Sequence, residues 1–399
     1  MNLTPINFIQ RRLAGAVFVC ALGACSTVLD PQTQTAARTE ALCVRDQVSI
    51  RTDFPVGGQH GCALREDGFA LTVWPEAAVD ARINPSPWYA FSVEGNDEVA
   101  VNITLDYGSH RHRYAPWIKS GDSDWRKMED AQVDVRDEGR VAVFTVPASD
   151  RDQIIAGLPI VSVADTDVWT REIAERHGLE VVEYGRSFEG RPLTALTAGP
   201  EDAGTVVIAM TRQHPPELNG AIAFEAFVEK VVAHLGEPSF ANTRFVFFPM
   251  LNPDGVENGY WRHNMGGVDL NRDWFSLKQP EIRTAEQLIQ REAAGKDMLA
   301  FLDFHSTWST LVYFHPFNTP DTDSTFPMAL KAALDEAFEP SPDWISSHND
   351  GKGTSKNWAL QTFRTPGMTI ELGDGASRSE AERVGEITAD TFFEVFFTY

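Results

Sequence analysis

The chain has 399 residues, with 34 Lys and Arg against 57 Asp and Glu, which gives a net charge of −23. This length predicts two or three domains and allows a large buried core. The negative charge excludes a nucleic-acid partner, because phosphate binding needs a basic surface. It is instead typical of a solvated acidic surface.

The N-terminus has the features of an export signal. Arg11 and Arg12 precede an apolar run that is too short to span a bilayer as a helix. The run ends in Leu-Gly-Ala-Cys, which resembles a bacterial lipobox, whose cysteine becomes the lipidated first residue; an ordinary cleaved signal peptide is the alternative. We predict a signal peptide over residues 1–24 and an exported lipoprotein, anchored to the membrane by a lipid on Cys25 and facing the periplasm.

The cysteines that remain in the mature chain form an even pair. Cys20 is removed with the signal peptide and Cys25 carries the lipid, which leaves Cys43 and Cys62. In an exported protein such a pair predicts a disulfide. The polar stretch that follows the lipid site predicts a tether over residues 25–61.

Residues 62–160 are predicted to form a small all-β sandwich domain. Short apolar or alternating runs with the length of strands occur at residues 69–73, 89–93, 99–103 and 141–146. The basic cluster His110–Arg113 lies between these runs, and we interpret it as a solvated turn; metal or partner binding is the alternative.

From about Val168 onward, strand patterns alternate with helical ones. Strands are predicted at residues 205–210, 244–249, 298–304 and 368–372. Residues 379–382, Ser-Glu-Ala-Glu, resemble a capping box that opens a final helix. The alternation predicts an α/β domain over residues 161–399, in which a mixed central sheet is flanked by helices and ligands gather beyond the strand ends.

His214 and Glu217 form the most informative motif in the chain. They lie three residues apart in a loop that leaves an apolar strand, so both side chains can turn onto one metal ion. The same spacing begins at His177 and at His234, but glycines follow both, as is typical of helix ends. Only His214 follows a buried-strand pattern.

Residues near other strand ends supply the remaining parts of a zinc site. Zinc in hydrolases has three protein ligands and one open position for water, which fits His214, Glu217 and His305. A carboxylate must then take a proton from that water. Glu371 is the candidate, because it is isolated in an apolar strand where an ion is costly.

Two further groups fit the hydrolysis of a peptide bond. Developing charge on the attacked carbonyl needs a fixed cation, and Arg262 is available. A substrate carboxylate needs a bidentate guanidinium and an amide, which Arg272 and Asn271 supply. Asp303 is interpreted either as an acid that orients a ligand imidazole or as a strand-end cap.

This order of motifs resembles the M14 zinc carboxypeptidases, and within them the cytosolic carboxypeptidase branch, which has a β-sandwich before the catalytic domain. The resemblance runs from about Tyr89 to the C-terminus and includes residues 184–191, Tyr-Gly-Arg-Ser to Gly-Arg. The same ligand set, two histidines and a glutamate, is known from carboxypeptidase A.

The resemblance implies a role for each of these residues. One zinc ion per chain would be bound by His214, Glu217 and His305, and the substrate would be the C-terminus of a peptide or protein. The catalytic and substrate-binding roles fall on Glu371 as general base, Arg262 on the scissile carbonyl, and Asn271 with Arg272 on the terminal carboxylate.

Two departures from the family concern closure over the substrate and specificity. The loop at residues 347–353 lacks the tyrosine that digestive members carry there. Lys356 falls where the family places the side chain at the base of the pocket for the leaving residue. We therefore predict a preference for acidic C-terminal residues; a solvent-exposed lysine is the alternative.

Two other functions stay open at this stage. The same scaffold could hydrolyse peptidoglycan stem peptides or acyl-amino acids, as an amidase or peptidase. A catalytically inactive peptide-binding protein is the alternative from another class.

Overall fold

The computed structural model describes residues 41–79, 87–95, 99–149 and 153–397. These described residues belong to one compact unit. The predicted signal peptide and the predicted lipid site at Cys25 lie outside the described residues. Within these ranges, no helix is both long enough and apolar enough to cross a membrane.

The first part of the described chain consists of short strands. In chain order they are β1 (Cys43–Arg45), β2 (Val48–Arg51), β3 (His60–Arg65), β4 (Gly68–Val73), β5 (Ala90–Gly95), β6 (Ala100–Asp106), β7 (Trp117–Ser120), β8 (Arg126–Lys127), β9 (Asp134–Arg136), β10 (Val141–Pro147) and β11 (Gln153–Ala156). They form two sheets, ordered β1-β2-β5-β11-β7-β8 and β3-β4-β6-β10-β9.

The two sheets share one apolar core. Along β6, Val101, Ile103 and Leu105 are buried while their neighbours are more exposed, which is the two-residue period of a strand with one buried face. They pack in one cluster with Ile50 and Phe91 of the other sheet. This part of the chain is therefore a β-sandwich, as predicted.

The predicted tether extends too far toward the C-terminus. Strands β1 and β2 lie within it, and Val48 and Ile50 of β2 belong to the sandwich core. A disulfide joins Cys43 to Cys62, whose Cα atoms are 6.1 Å apart. The alternating pattern of β2 covers only four residues, which is too short a run to stand out from a polar stretch.

The second part alternates helices and strands. Its elements are α1 (Val163–His177), β12 (Glu180–Arg186), β13 (Pro192–Ala198), β14 (Thr205–Thr211), α2 (Leu218–Ala233), β15 (Thr243–Phe248), α3 (Pro253–Glu257), α4 (Pro280–Glu292), β16 (Asp297–Thr307), β17 (Leu311–Phe314), α5 (Thr325–Ala337), β18 (Asp343–Ser346), α6 (Ser355–Phe363), β19 (Met368–Gly373) and α7 (Arg378–Phe397). Short 3₁₀ segments occur at Asp130–Gln132, Asp137–Gly139, Pro238–Phe240 and Leu270–Arg272.

The strands of the second part form one mixed sheet, ordered β12-β13-β15-β14-β16-β19-β17-β18. Its centre, β15-β14-β16-β19, is parallel, whereas β13 and β17 join it antiparallel. Apolar clusters cover both faces of the sheet. The predicted fold class, a mixed α/β sheet flanked by helices and preceded by a β-sandwich, is confirmed.

Helix ends agree with the sequence patterns except at α7. Helix α1 ends at Gly178 with a φ of 66°, where glycine adopts the left-handed conformation without strain. The capping box of α7 begins at Ser377, not at the predicted Ser379: Glu380 N donates to Ser377 Oγ, and Ser377 N donates to the Glu380 carboxylate. Ser377 and Ser379 each have a glutamate three residues later, so the sequence pattern did not decide which serine begins the capping box.

The sandwich core continues into the α/β part. Met250, Val256 and Trp261, which follow β15, pack in the same apolar cluster as the sandwich residues. The segment that carries the predicted residue Arg262 is therefore held against the sandwich.

Candidate metal centre and active-site pocket

Three buried side chains converge beyond the ends of the parallel strands. Glu217 Oε1 lies 2.7 Å from His214 Nδ1, and Glu217 Oε2 lies 2.7 Å from His305 Nδ1. The two Nδ1 atoms are 3.2 Å apart. Tetrahedral zinc with bonds of about 2.0–2.1 Å holds its ligand atoms about 3.3 Å from one another. The three side chains therefore fit a zinc ion with little movement.

The sheet topology brings these ligands together. Strands β14 and β16 are parallel neighbours, with Thr211 opposite Phe304, so the chain reaches His214 just beyond β14 and His305 one residue after Phe304. Glu217 is the N-cap residue of α2. Residues distant in sequence thus meet at one edge of the sheet.

Gly220 lets α2 approach β16 closely. A Cβ atom at this position would lie 2.5 Å from the carbonyl oxygen of His305. The N–H of Gly220 donates to Ser306 Oγ at 2.9 Å. This close approach places Glu217, at the start of the helix, beside His305.

A carboxylate contacts the second ring nitrogen of each histidine. Asp269 Oδ1 lies 3.0 Å from His214 Nε2, and Asp303 Oδ1 lies 2.9 Å from His305 Nε2. Gln213 Nε2 donates to the other oxygen of Asp303 at 2.6 Å. Such contacts orient ligand imidazoles and direct their free nitrogens at the metal. Of the two interpretations of Asp303, the geometry favours orientation of His305.

The charges of the cluster also suit a divalent cation. Burial opposes ionisation of Glu217, but the imidazoles of His214 and His305 outweigh it and lower its pKa. Burial opposes protonation of His305, but Asp303 and Glu217 outweigh it and raise its pKa. A bound metal would replace this proton, so metal binding would release protons.

Asp269 also holds Arg262. Its Oδ2 accepts a hydrogen bond from Arg262 Nε at 2.8 Å and lies 2.7 Å from Arg262 Nη2, so two guanidinium nitrogens contact one carboxylate oxygen. One carboxylate therefore holds both a candidate metal ligand, His214, and the cation Arg262. Burial disfavours the Arg262 guanidinium, but Asp269 outweighs burial and raises its pKa.

Asn271 and Arg272 lie on the 3₁₀ segment that follows Asp269. Asn271 Nδ2 is 3.3 Å from His305 Nε2, and its Oδ1 accepts a hydrogen bond from Ser355 N at 2.9 Å. Arg272 Nη1 donates to the carbonyl oxygen of Asn271 at 2.6 Å. Both side chains line the same pocket as the metal cluster.

Glu371 lies on β19, next to the metal cluster. It is the register partner of His305 on the adjacent strand. Within the described chain, its buried Oε2 has no hydrogen-bond partner. Burial and the charge of Glu217 raise its pKa to about 7. A carboxylate with this pKa can accept and return a proton near neutral pH.

Lys356 is buried, not solvent-exposed. It lies in the first turn of α6 with a side-chain exposure of 2%, and its Nζ donates to Asn357 Oδ1 at 2.9 Å. Asp350 Oδ1 is 3.9 Å away. Burial lowers the pKa of Lys356 to about 8.

Tyr313 also lines the pocket, and the sequence patterns did not single it out. It lies on β17 and stacks on His348, with ring centroids 4.0 Å apart and planes 14° apart. His348 belongs to the loop that lacks the tyrosine of digestive family members. An aromatic hydroxyl is therefore present in the pocket, but it comes from a strand.

The basic cluster His110–Arg113 is not simply a solvated turn, because the side chain of Arg113 is buried. Its side chain is 5% exposed, its Nε donates to Asp374 Oδ2 at 2.7 Å, and its guanidinium packs over the ring of Trp308. His112 stacks on the buried ring of Tyr89. Apolar neighbours distant in sequence bury these side chains, so the local pattern of charges did not reveal their position.

A single cavity of about 240 Å³ unites the predicted residues. Its lining includes His214, Glu217, Arg262, Asn271, Arg272, Lys356 and Glu371, together with Arg113, Trp308 and Tyr313, which were not predicted. His305 is not among the lining residues, but its Nδ1 lies 2.7 Å from Oε2 of Glu217, which is. The described residues offer one group of at least three side chains that could hold a metal ion, and it consists of His214, Glu217 and His305.

Comparison with known proteins gives one consistent result. The profile of the zinc carboxypeptidase family, Peptidase_M14, matches residues 166–392, more than half of the chain. Cytosolic carboxypeptidase 2 of Danio rerio is 33% identical over 132 residues, which cover 30% of this chain and 18% of that protein. Cytosolic carboxypeptidase 4 of Mus musculus is 32% identical over 161 residues, covering 36% of this chain and 14% of that protein.

The aligned region spans less than a fifth of the length of these two relatives. Among solved structures, a metallo-carboxypeptidase from Burkholderia cenocepacia superposes with a TM-score of 0.71 at 21% identity, over 88% of this chain and 100% of that one. At this identity the likeness establishes the shared fold. Together with the match to the family profile, it leads to one assignment: the chain belongs to the M14 family of zinc carboxypeptidases, which are peptide hydrolases.

Proposed function

We propose that this protein is an active zinc carboxypeptidase that removes the C-terminal residue of a peptide or protein. The observation that carries the proposal is the convergence in one cavity of a two-histidine, one-glutamate cluster, a carboxylate with a raised pKa, and two arginines. One zinc ion per chain would be held by His214, Glu217 and His305.

The side chains around the cluster divide the chemistry between them. Zinc, when bound, lowers the pKa of water to about 7 and polarises a carbonyl group. Glu371 takes the proton of the attacking water and passes it to the leaving amine. The Arg262 guanidinium stabilises the negative charge that develops on the carbonyl oxygen. Asn271 and Arg272 hold the terminal carboxylate of the substrate.

The general base is tested by Glu371→Gln, which keeps the size of the side chain and removes its basicity. We expect the variant to bind zinc like the wild type and to lose about three or more orders of magnitude in kcat, by analogy with the loss of other catalytic groups. Metal analysis and peptide cleavage measure the two properties.

Glu292→Gln is a suitable control for this test. Glu292 pairs with Arg244 at 2.9 Å, at the end of β15 opposite to the pocket. Its substitution removes a carboxylate and leaves the site unchanged. Full activity of Glu371→Gln would refute the assignment of the base.

A preference for acidic C-terminal residues is supported by the charges in the pocket. Arg113, Arg262, Arg272 and Lys356 line one cavity in a protein with a net charge of −23. Peptides that end in Glu, Phe and Lys, and are otherwise identical, measure the preference. Cleavage of the Phe peptide at a rate equal to or above that of the Glu peptide would rule it out.

We also propose that the chain is exported and carries a lipid on Cys25. The disulfide between Cys43 and Cys62 supports this location, because such bonds persist in oxidising compartments and are rare in the cytosol. Membrane fractionation of the wild type and of Cys25→Ser in a bacterial host tests it. Recovery of the wild-type protein in the soluble cytosolic fraction would contradict the proposal.

A further inference from the structure

Glu76 connects the β-sandwich to the residues of the pocket. It follows β4 of the sandwich and is almost completely buried, with a side-chain exposure of 2%. Its carboxylate accepts hydrogen bonds from three consecutive backbone N–H groups: Trp261 at 3.2 Å, Arg262 at 2.7 Å and His263 at 3.1 Å. His263 Nδ1 lies 3.0 Å from the same carboxylate.

Three successive N–H groups that point at one anion form a concave binding site of the kind that proteins use for phosphates and carboxylates. Burial on its own would raise the pKa of Glu76, but the hydrogen bond from His263 and those from the backbone outweigh burial and lower it. The carboxylate is therefore charged at neutral pH, which strengthens each of these hydrogen bonds.

The side chains of Trp261 and Arg262 are also held in place. The Trp261 ring packs in the sandwich core. The Arg262 guanidinium is held by Asp269, whose other oxygen contacts the metal ligand His214. Arg262 is thus restrained at its backbone by Glu76 and at its guanidinium by Asp269.

We infer that Glu76 is a positioning residue for the reaction: the sandwich uses its carboxylate to fix the backbone of Arg262, so that the guanidinium is already in place when charge develops on the substrate carbonyl. This inference rests on the proposed function. Preorganised cations contribute most when they need no rearrangement during the reaction. The sandwich is on this account a part of the catalytic machinery.

Glu76→Gln is the informative substitution. It keeps the shape of the side chain but removes its negative charge. It also replaces one of the two oxygens that accept backbone hydrogen bonds with an NH₂ group, which cannot accept them. We expect kcat to fall about 10- to 100-fold, as for small displacements of catalytic groups. KM and zinc content stay at their wild-type values, because neither the terminal carboxylate nor the metal is bound by Glu76. Glu292→Gln is again the control and keeps the wild-type kcat.

A double-substitution cycle separates positioning from a general loss of structure. If Glu76 acts through Arg262, adding Glu76→Gln to Arg262→Ala changes kcat by less than about twofold, because coupled groups are not additive. An equal loss of kcat in both backgrounds would overturn the inference.

Amide hydrogen exchange supplies a readout that does not depend on activity. The amides of residues 261–263 should exchange faster in Glu76→Gln than in the wild type, while those of β14 stay protected. If the wild type cleaves peptides and Glu76→Gln retains its kcat, the inference fails while the proposed function stands. If the wild type cleaves no peptide, the proposed function fails, and unchanged exchange at residues 261–263 would overturn the positioning role as well.

Discussion

Lys356 offers the sharpest test of specificity, because its burial predicts the effects of both a substitution and pH. Its ammonium group is shielded from solvent and lines the pocket, with Asn357 and Asp350 as its nearest polar neighbours. A substrate carboxylate that reaches it would form a charge-assisted hydrogen bond, worth about 1.5–3 kcal/mol. Lys356→Met should therefore lower kcat/KM for a Glu-terminated peptide by about 10- to 150-fold.

The same contact should make the preference depend on pH. Burial lowers the pKa of Lys356 from its ordinary value of 10.5 to about 8. The ammonium form, which binds a carboxylate, is populated below this pH and is lost as the pH rises through it. Since kcat/KM reports the ionisation of the free enzyme, the ratio of kcat/KM for Glu- and Phe-terminated peptides should fall between about pH 7 and pH 9.5.

The assay compares the two peptides across this pH range for the wild type, Lys356→Met and Lys352→Met. Lys352 is exposed on the neighbouring loop, so its substitution removes a nearby positive charge outside the pocket. We expect Lys352→Met to follow the wild type. A Glu-to-Phe ratio that Lys356→Met leaves unchanged, or that stays constant across pH 8 in the wild type, would refute this role of Lys356.

Three further predictions follow from the site and the sandwich. Asp303→Asn should weaken zinc binding about 10- to 100-fold by loosening His305, as measured by competition with a chelator. Burial raises the pKa of Glu371 to about 7, and the general base must be ionised, so kcat/KM should fall as the pH drops below this region. The positive charge of bound zinc would move the midpoint of this fall to a lower pH. A kcat/KM profile that is flat down to pH 4 would contradict the assignment of Glu371 as the base. Replacing Cys43 and Cys62 by Ser should reduce the free energy of unfolding by about 3 kcal/mol, the loop-closure value for about 20 residues, with activity retained; urea denaturation measures it.

Most strands could be predicted because their signal is local. The buried strand Thr205–Thr211 differs by one residue from its predicted C-terminal end, and Met368–Gly373 likewise. Apolar runs of strand length carry this information without any knowledge of their partners. Strand β2 shows the limit, since an alternation of four residues within a polar stretch resembles a tether.

The candidate site likewise contains residues that the local sequence could predict and contacts that it could not. His214, Glu217, His305 and Glu371 were predicted because each stands at a strand end or within an apolar strand, where a polar side chain is costly without a role. Asp269 was not recognised as the residue that holds both His214 and Arg262, because nothing in its local sequence indicates which of several polar neighbours it contacts.

The sequence by itself predicted the family to which the chain belongs, and the types of the candidate metal ligands with their order along the chain. Only the tertiary structure decided what surrounds them. Glu76 contacts Arg262 across 186 residues, and Arg113 reaches Asp374 across 261. Contacts over such separations follow no helical or strand period, so they arise only when the sandwich packs against the α/β part. Burial among distant neighbours, which no local pattern records, also decided between the two interpretations of Lys356 in favour of a side chain that lines the pocket.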